Sequence, residues 1–289
     1  RVGSGRHRRN LKVWWQRGAA LHPCLAVTSM VHGDEFEGFA ATRVLWNEVR
    51  GAALRGSLLV IPICNPWAAE TFTRNTPSTL DGQNLARSFP GSTRGGLTRK
   101  LARHLWNLVA GADALVDLHS GGAGYDYAPL AGFYREQDVS LAACFPLPFL
   151  WRIPVNRGVL SYEFSRLGKP SLGCEYAGEQ RLDPRGARAY LAGALALMKK
   201  IGMLNRSVSV RRQNMVRLNT TRIQNASDTG WFFSGVKAGQ RIRKGSPIGT
   251  WIATNLQSHE IKSRFDGIVV GVRTLPRVAR GEGLILAGR

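Results

Sequence analysis

Three predominantly apolar runs, separated by segments with helical spacing, set the strongest constraint on how this chain can fold. The runs cover residues 25–31, 58–64 and 114–119. Such runs are typical of strands that are buried on both faces of a parallel sheet. Apolar residues recur at helical spacing in residues 36–50 and 97–110. This alternation predicts an α/β fold with a mixed, largely parallel central sheet flanked by helices, whose ligands gather at the carboxyl ends of the strands.

Shorter segments complete the predicted α/β region. Residues 12–15 and 171–175 have the composition of strands, and residues 138–145 and 184–203 have that of helices. Residues 67–96 show little periodicity but carry arginine and aromatic side chains. A loop of that length in a compact domain is usually functional or disordered, and the arginine and aromatic content favours a functional loop.

The length and composition of the apolar runs change near residue 206. Beyond that point the runs are short, alternating and β-branched, and glycine-containing turns such as residues 243–245 and 265–267 separate them. Regular short strands with turns of this kind predict a small all-β barrel or sandwich. We therefore expect a catalytic α/β domain at residues 1–205 and a small β domain at residues 206–289.

The chain is strongly basic, with 40 Lys and Arg residues against 19 Asp and Glu residues and a formal net charge of +21. The basic residues are spread along the sequence, and only the first nine residues form a dense cluster. We interpret the charge as a generally positive surface that steers anionic substrates, and we expect no nucleic-acid partner.

Three further features bear on the surroundings of the protein. The sequence has no apolar run of 18 residues, which argues against a membrane partner. Its first residues lack the apolar core of a secretory signal. None of its four cysteines (Cys24, Cys64, Cys144 and Cys174) lies in a C-x-x-C pair, which favours buried thiols over disulfides or metal ligands. Together these features predict a reducing, cytoplasmic location.

Candidate metal ligands follow two of the predicted strands. His32 and Glu35 stand three residues apart at the turn after the first run, and His119 ends the third run. Two His and one Glu, with water in the fourth position, are a known ligand set for catalytic zinc. Asp117, two residues before His119, is placed to orient a ligand. The H-x-x-E spacing is weak by itself, and on spacing alone a structural role for these histidines stays open.

Several motifs follow one another along the chain: HGDE at 32–35, NPWA at 65–68, Arg74, DGQNLARSFPG at 81–91, DLHSGG at 117–122 and Glu175. Together they resemble the succinylglutamate desuccinylase/aspartoacylase family, which belongs with the zinc carboxypeptidase fold. They occur in the order found in that family and span roughly residues 24–183. The C-terminal part resembles the biotinyl/lipoyl-like β domain that many members carry.

The resemblance implies a role for each motif residue. It implies one Zn²⁺ per chain, held by His32, Glu35 and His119. Glu175 corresponds to the catalytic general base of the family, and Arg74 to the arginine that faces the developing oxyanion or a substrate carboxylate.

The same resemblance implies two substrate-binding residues. Arg87 corresponds to the arginine that grips a substrate carboxylate, and Asn84 lies in the same motif. The bidentate fork of a guanidinium suits a carboxylate.

The chain departs from the family pattern in two places. Ala86 stands where the family has Asn, which removes one amide donor to the substrate. Residues 177–179 read Ala-Gly-Glu where the family has a glycine-rich stretch. Both departures bear on the substrate and leave the ligand set intact. Asp34 and Glu37 flank the ligands, and we assign them to solvent or to the surroundings of the site.

The resemblance favours a zinc-dependent hydrolase that cleaves the amide bond of an N-acyl amino acid or a related small molecule. A zinc carboxypeptidase acting on peptides and a non-catalytic basic binding protein remain alternatives. The expected partner is a small anionic N-acylated substrate, and a homo-oligomer is compatible with the sequence. Lys262 lacks the flanking residues of a lipoyl or biotin attachment site, so we expect no carrier function.

Overall fold

The predicted α/β architecture is present in the computed structural model of the chain, which describes residues 2–3, 5–208 and 214–289. A sheet of twelve strands is flanked by helices, and a second sheet of four strands lies in the C-terminal part. The helices are α1 (Glu37–Val49), α2 (Pro66–Thr71), α3 (Leu97–Val109), α4 (Val139–Ala142), α5 (Leu160–Ser165) and α6 (Pro184–Lys200). The strands are β1 (Trp14–Arg17), β2 (Cys24–Ser29), β3 (Ser57–Ile61), β4 (Ala114–Leu118), β5 (Tyr125–Phe133), β6 (Phe149–Arg152), β7 (Ser171–Gly178), β8 (Val216–Leu218), β9 (Thr221–Asn225), β10 (Gly230–Ser234), β11 (Arg241–Ile242), β12 (Pro247–Ala253), β13 (Ser258–Lys262), β14 (Gly267–Arg273), β15 (Arg277–Val278) and β16 (Gly283–Gly288).

The centre of the large sheet is parallel. Its order β3-β2-β4-β7 joins four parallel neighbours, with β1 antiparallel at one edge. Every residue of β2, β3 and β4 is buried, as the predominantly apolar runs predict. Successive side chains of a strand point to opposite faces. Leu25 and Val27 therefore pack in the core with α1 and α6, while Ala26 packs in the core with α3 and α5.

The strand β5 and the helix α5 were not predicted. Pro129 interrupts β5, and proline normally argues against a strand because it cannot donate a hydrogen bond. The structure accommodates it at a shift of register between Tyr127 and Leu130, where β5 pairs antiparallel with β7. The missed strand matters because it brings several tyrosines to the site described below.

Residues 67–96 contain more regular secondary structure than the predicted loop. Helix α2 starts at Pro66, and the side chain of Asn65 caps it by accepting a hydrogen bond from the Ala68 N–H at 3.2 Å. A short 3₁₀ helix, Leu85–Arg87, lies further on and has Asn84 as its cap. The predicted helix at 138–145 is shorter than expected and reduces to the four residues of α4.

The C-terminal part is all-β, as predicted, but its strands are shared between two sheets. Strand β14 pairs with β5, and β16 and β9 continue the large sheet beyond it. Strand β8 pairs with β6, while β13-β12-β10-β15 form the four-stranded sheet. Because the large sheet runs across residue 206, the domain bounds 1–205 and 206–289 stay a prediction.

Two other expectations can be compared with the described residues. Cys24, Cys64, Cys144 and Cys174 are free thiols, and all but Cys144 are buried, as predicted. Within the described ranges, no helix has both the length and the apolar character that crossing a membrane requires.

The shared sheet leads to a prediction about truncation. A chain that ends at residue 205 would expose the edge of β5 and the apolar side chains of Leu130 and Trp151, which pack against Leu218, Ile268 and Val270. Exposed strand edges and apolar patches favour aggregation, so we expect little soluble protein and no cooperative unfolding. Soluble yield and thermal unfolding followed by circular dichroism measure this against the full chain. A soluble truncated monomer with an unchanged unfolding midpoint would show that residues 1–205 are an independent domain.

Candidate metal centre and active site

The candidate site forms at the carboxyl ends of β2 and β4, beside the parallel strand β7, which continues to Gly178. Leu118, the last residue of β4, pairs with Ser29 of β2 on one side and with Cys174 of β7 on the other. His119 and Glu175 come one residue later on their strands. The turn after β2 carries His32 and Glu35 to the same edge.

The three predicted metal ligands converge on one another. His32 Nδ1 lies 2.6 Å from Glu35 Oε1, and His119 Nδ1 lies 3.0 Å from Glu35 Oε2. All three side chains are buried, and one ligand atom from each falls within 4.8 Å of the others. The carboxylate of Glu35 is therefore shared by two imidazole rings.

The outer nitrogens of both rings face oxygen acceptors. His119 Nε2 lies 3.0 Å from Asp117 Oδ2, and Asp117 Oδ1 accepts a hydrogen bond from Thr28 Oγ1 at 2.7 Å. This is the orienting contact expected of Asp117. His32 Nε2 lies 3.2 Å from Asn84 Oδ1. With their outer nitrogens engaged, both rings turn Nδ1 towards Glu35.

This donor set fits zinc. Two imidazole nitrogens and one carboxylate match the preference of zinc for nitrogen and oxygen donors in catalytic sites. Ligating histidines in zinc sites also donate their outer N–H to a carboxylate or carbonyl oxygen, as the geometry here allows. The same three residues were selected from the sequence.

Burial and neighbouring charge push the pKa values of the three groups apart. Burial alone would raise the pKa of Glu35, but the two imidazoles hold it below its usual range. Burial, followed by the charge of Arg74, lowers the pKa of His32 to about 4. Burial also opposes the charged form of His119, yet Asp117 and Glu35 raise its pKa well above the usual value. The difference arises because His119 faces two carboxylates and His32 faces one.

Glu175 lies beside this set of ligands. Its Oε2 is buried and, among the described residues, has no hydrogen-bond partner. Burial raises the pKa of Glu175 to about 8, with the carboxylate of Glu35 adding to the effect and the charges of His119 and Arg74 opposing it. A carboxyl group with such a pKa exchanges protons near neutral pH.

A cavity of about 450 Å³ opens onto these groups. His32, His119, Glu175, Arg74 and Arg87 all line it. Arg74 Nη1 donates a hydrogen bond to Glu35 Oε1 at 3.2 Å, whereas Arg87 Nη1 donates to the Ala86 carbonyl at 2.7 Å. The structure thus gathers the predicted ligands, base and arginines around one space.

Asn84 occupies a different position from the one its predicted role requires. Its Oδ1 faces His32 and accepts a hydrogen bond from the Ala86 N–H at 2.8 Å, and it is absent from the described cavity lining. The substrate contact predicted for Asn84 stays a prediction.

Asp34 and Glu37 do not face solvent, which corrects one of the two expectations for them. Both are buried. Asp34 Oδ2 accepts a hydrogen bond from the Ala123 N–H at 2.8 Å, and Glu37 Oε1 accepts one from the Asp183 N–H at 2.9 Å. They hold the segments that follow His119 and precede α6 against the site.

Sequence reasoning named none of the residues that form the aromatic and C-terminal walls of the cavity. Tyr125 and Tyr127 of β5, Trp151 of β6 and Ile223 and Asn225 of β9 all line it. The alternation of Tyr125 and Tyr127 around Asp126 is the one signal that could have indicated a strand with an aromatic face. Residues of β9 stand about a hundred positions or more from the ligands, and no local pattern links them to the site.

Comparison with known proteins decides the family. Residues 22–201 match the family described as "Succinylglutamate desuccinylase/Aspartoacylase catalytic domain". The chain belongs to this family. The resemblance inferred from the motifs is thereby confirmed, together with the α/β fold.

Solved structures of similar proteins extend over almost the whole chain. A succinylglutamate desuccinylase/aspartoacylase from Rhodobacter sphaeroides is 25% identical and superposes with a TM-score of 0.84, over 96% of this chain and 89% of that chain. The product-bound ectoine utilization protein EutE (DoeB) from Ruegeria pomeroyi is 23% identical and has a TM-score of 0.85, over 96% of this chain and 88% of that chain. The second likeness concerns the fold alone.

A relative of assigned activity matches part of the chain. The N-alpha-acetyl-L-2,4-diaminobutyric acid deacetylase of Halomonas elongata is 38% identical over 117 residues, which are 40% of this chain. The match spans 34% of the length of that relative.

The turn that carries two ligands leads to a stability prediction. A Cβ at Gly33 would lie 2.0 Å from the backbone of Ala68 in α2, whereas a Cβ at Gly111 would meet no atom within 4 Å. We expect Gly33→Ala to lower the free energy of unfolding by about 3 kcal/mol, because backbone must move to relieve the clash. Gly111→Ala, the matched control, should stay within about 1 kcal/mol of the native protein. Urea denaturation measures both, and equal stabilities for the two variants would contradict the prediction.

Proposed function

We propose that this protein is a zinc-dependent hydrolase that cleaves the amide bond of an N-acylated amino acid or a related small molecule. The carrying observation is the convergence of His32, Glu35 and His119 beside the partnerless oxygen of Glu175, at the wall of a cavity. Membership of the family and the similarity to a deacetylase support the proposal.

Zinc would be held by His32 Nδ1, His119 Nδ1 and the carboxylate of Glu35, on the atoms that these residues turn towards one another. When bound, it would polarise the substrate carbonyl and lower the pKa of a bound water from ~15.7 towards ~7. Asp117 and Asn84 keep the two rings in the required orientation from outside.

Glu175 acts as the general base. Its free Oε2 accepts a proton from the attacking water and then gives it to the leaving amine nitrogen. Its burial serves this exchange, because the raised pKa makes both protonation states accessible near neutral pH. General acid–base catalysis of this kind contributes about 10²–10⁴-fold in rate.

The two arginines contact different groups of the substrate. Arg74, which already contacts Glu35, lies nearest to the reacting centre and stabilises the negative charge that develops on the carbonyl oxygen. Burial, followed by the charge of Arg74, lowers the pKa of Arg87, so a carboxylate bound there would relieve an unfavourable charge. Arg87 is therefore the proposed grip for the substrate carboxylate.

A small substrate suits the cavity better than a peptide. Ile223, Asn225 and Leu286, all from the C-terminal strands, contribute to its wall. A carboxypeptidase needs a groove that admits a chain, so digestion of a peptide library separates this alternative from the proposed one. The alternative of a basic binding protein would need neither the ligand set nor Glu175, and it predicts binding of nucleic acid that weakens steeply with salt.

Removal of the base tests the mechanism. We expect Glu175→Gln to keep the fold and the bound zinc while lowering kcat by about 10²-fold or more, because the amide cannot accept the proton. The assay measures deacylation of a panel of acetylated and succinylated amino acids, together with zinc content by mass spectrometry.

Glu136→Gln is a matched control, because Glu136 is an exposed glutamate that pairs with Arg217 away from the cavity. It should leave both the zinc content and the activity unchanged. A purified native protein without zinc, or full activity in Glu175→Gln, would refute the proposed mechanism.

Asn84 gives a second test, since a positioning role and a substrate-binding role predict different outcomes. Asn84→Ala removes the acceptor for His32 Nε2, and the loss of such a partner typically weakens metal binding by about 10–100-fold. We therefore expect the dissociation constant for zinc to rise, as measured by competition with a chelator. A raised KM with unchanged zinc affinity would instead support the substrate contact predicted from the sequence.

Two further variants separate the ring contact from the capping contact of Asn84. Asn84→Asp keeps oxygen acceptors for both His32 and the Ala86 N–H, and it should bind zinc at least as tightly as the native chain. Asn84→Ser keeps a capping oxygen but is too short to reach His32, and it should behave like Asn84→Ala. Equal zinc affinity in all three variants would show that the contact with His32 does not matter.

A further inference from the structure

The cavity beside the candidate metal centre offers few charges to a substrate. Among the described residues that line it, Arg74, Arg87 and Glu175 are the charged side chains besides the predicted ligands. Arg74 is engaged with Glu35, and Glu175 must stay free to move a proton. One cation, Arg87, is left for one carboxylate of the substrate.

Most other side chains in the wall are apolar or aromatic. They come from β5, β6 and the residues that follow these strands, and include Tyr127, Tyr134, Trp151, Ile153 and Val159. Leu286 of β16 adds to them from the C-terminal part. The remaining polar side chains are neutral, such as the carboxamides of Asn156 and Asn225.

Hydrogen bonds within the protein occupy the polar ends of two of these rings. Trp151 Nε1 donates to Thr221 Oγ1 at 2.7 Å, and the hydroxyls of Tyr134 and Ser161 lie 3.0 Å apart. Engaged in this way, the two side chains offer mainly carbon surface to a ligand. Fixed rings also lose little conformational entropy when a ligand packs on them.

Ala86 adds to this apolar surface next to Arg87. The residue is 3% exposed and lines the cavity. A methyl group offers no hydrogen bond, so a second polar group on the substrate would find no partner there.

We propose that the amine part of the substrate is an amino acid with one carboxylate and an apolar, preferentially aromatic, side chain. This rests on the proposed function. Such a side chain gains free energy when it leaves water for the apolar wall. A second carboxylate or a free amine on the side chain would be desolvated without a charge of opposite sign to pair with.

The test compares substrates on the zinc-loaded full chain. We expect kcat/KM for N-acetyl-phenylalanine and N-acetyl-leucine to exceed that for N-acetyl-aspartate and N-α-acetyl-2,4-diaminobutyrate by about tenfold or more, the scale that one well-placed apolar contact supplies.

A charge placed in the wall should change this preference. Ile223 lines the cavity but is 53% exposed, so Ile223→Glu should fold normally. It should lower kcat/KM for N-acetyl-phenylalanine by about tenfold and raise that for the diaminobutyrate derivative, because it supplies the missing anion. Val216→Glu, at a β-branched strand residue that is 44% exposed and outside the described lining, is the matched control and should leave both values unchanged.

The outcomes distinguish this inference from the function on which it rests. Preferred hydrolysis of a doubly charged or amine-bearing substrate, abolished by Glu175→Gln, would overturn the inference and leave the hydrolase intact. Equal rates across the panel, or a preference that Ile223→Glu does not change, would also overturn it. No hydrolysis of any member would overturn both.

Discussion

The carboxylate of Glu35, shared between the imidazoles of His32 and His119, is the interaction on which the rest of this structure depends. A buried carboxylate costs several kcal/mol unless charges and hydrogen bonds compensate for the loss of water. Here both of its oxygens face ring nitrogens, and Arg74 adds a third contact. Asp117 of β4, which faces the outer nitrogen of His119, continues this set of polar contacts into the sheet. The same arrangement that makes the buried charge tolerable also aims three donor atoms at one point.

The parallel strands of the sheet position the ligands and the base, and the strands that continue the sheet form the cavity wall. Parallel neighbours bring His119 and Glu175 to one edge, where the turn after β2 adds the remaining ligands. Strand β5 then runs antiparallel to β7 and joins the C-terminal strands to the same sheet. Because of this connection, side chains far apart in the sequence form one wall. Access to the candidate metal centre is therefore shaped by the part of the chain that carries none of its ligands.

Local patterns were sufficient for part of this description. The strands β2, β3 and β4 could be predicted because strands buried on both faces leave nearly continuous apolar runs in the sequence. Helices α1 and α3 could be predicted because their apolar stripes repeat with the helical period. Strand β5 could not, since Pro129 and half-buried residues at its start hide the signal that a strand normally gives. The sequence left open whether Asp34 and Glu37 face solvent or the surroundings of the site, because charged residues are usually solvated.

The sequence by itself determined the parallel centre of the sheet, the family and the set of His32, Glu35, His119 and Glu175 as candidates, because those features are written in contiguous motifs. Only the tertiary structure decided which groups contact the outer nitrogens of the two histidines and which side chains line the cavity. The contact of Asn84 with His32 and the position of Ile223 in the cavity wall both bring together segments that are distant along the chain. Such contacts depend on register and on strand order, and neither is encoded within a local stretch of residues.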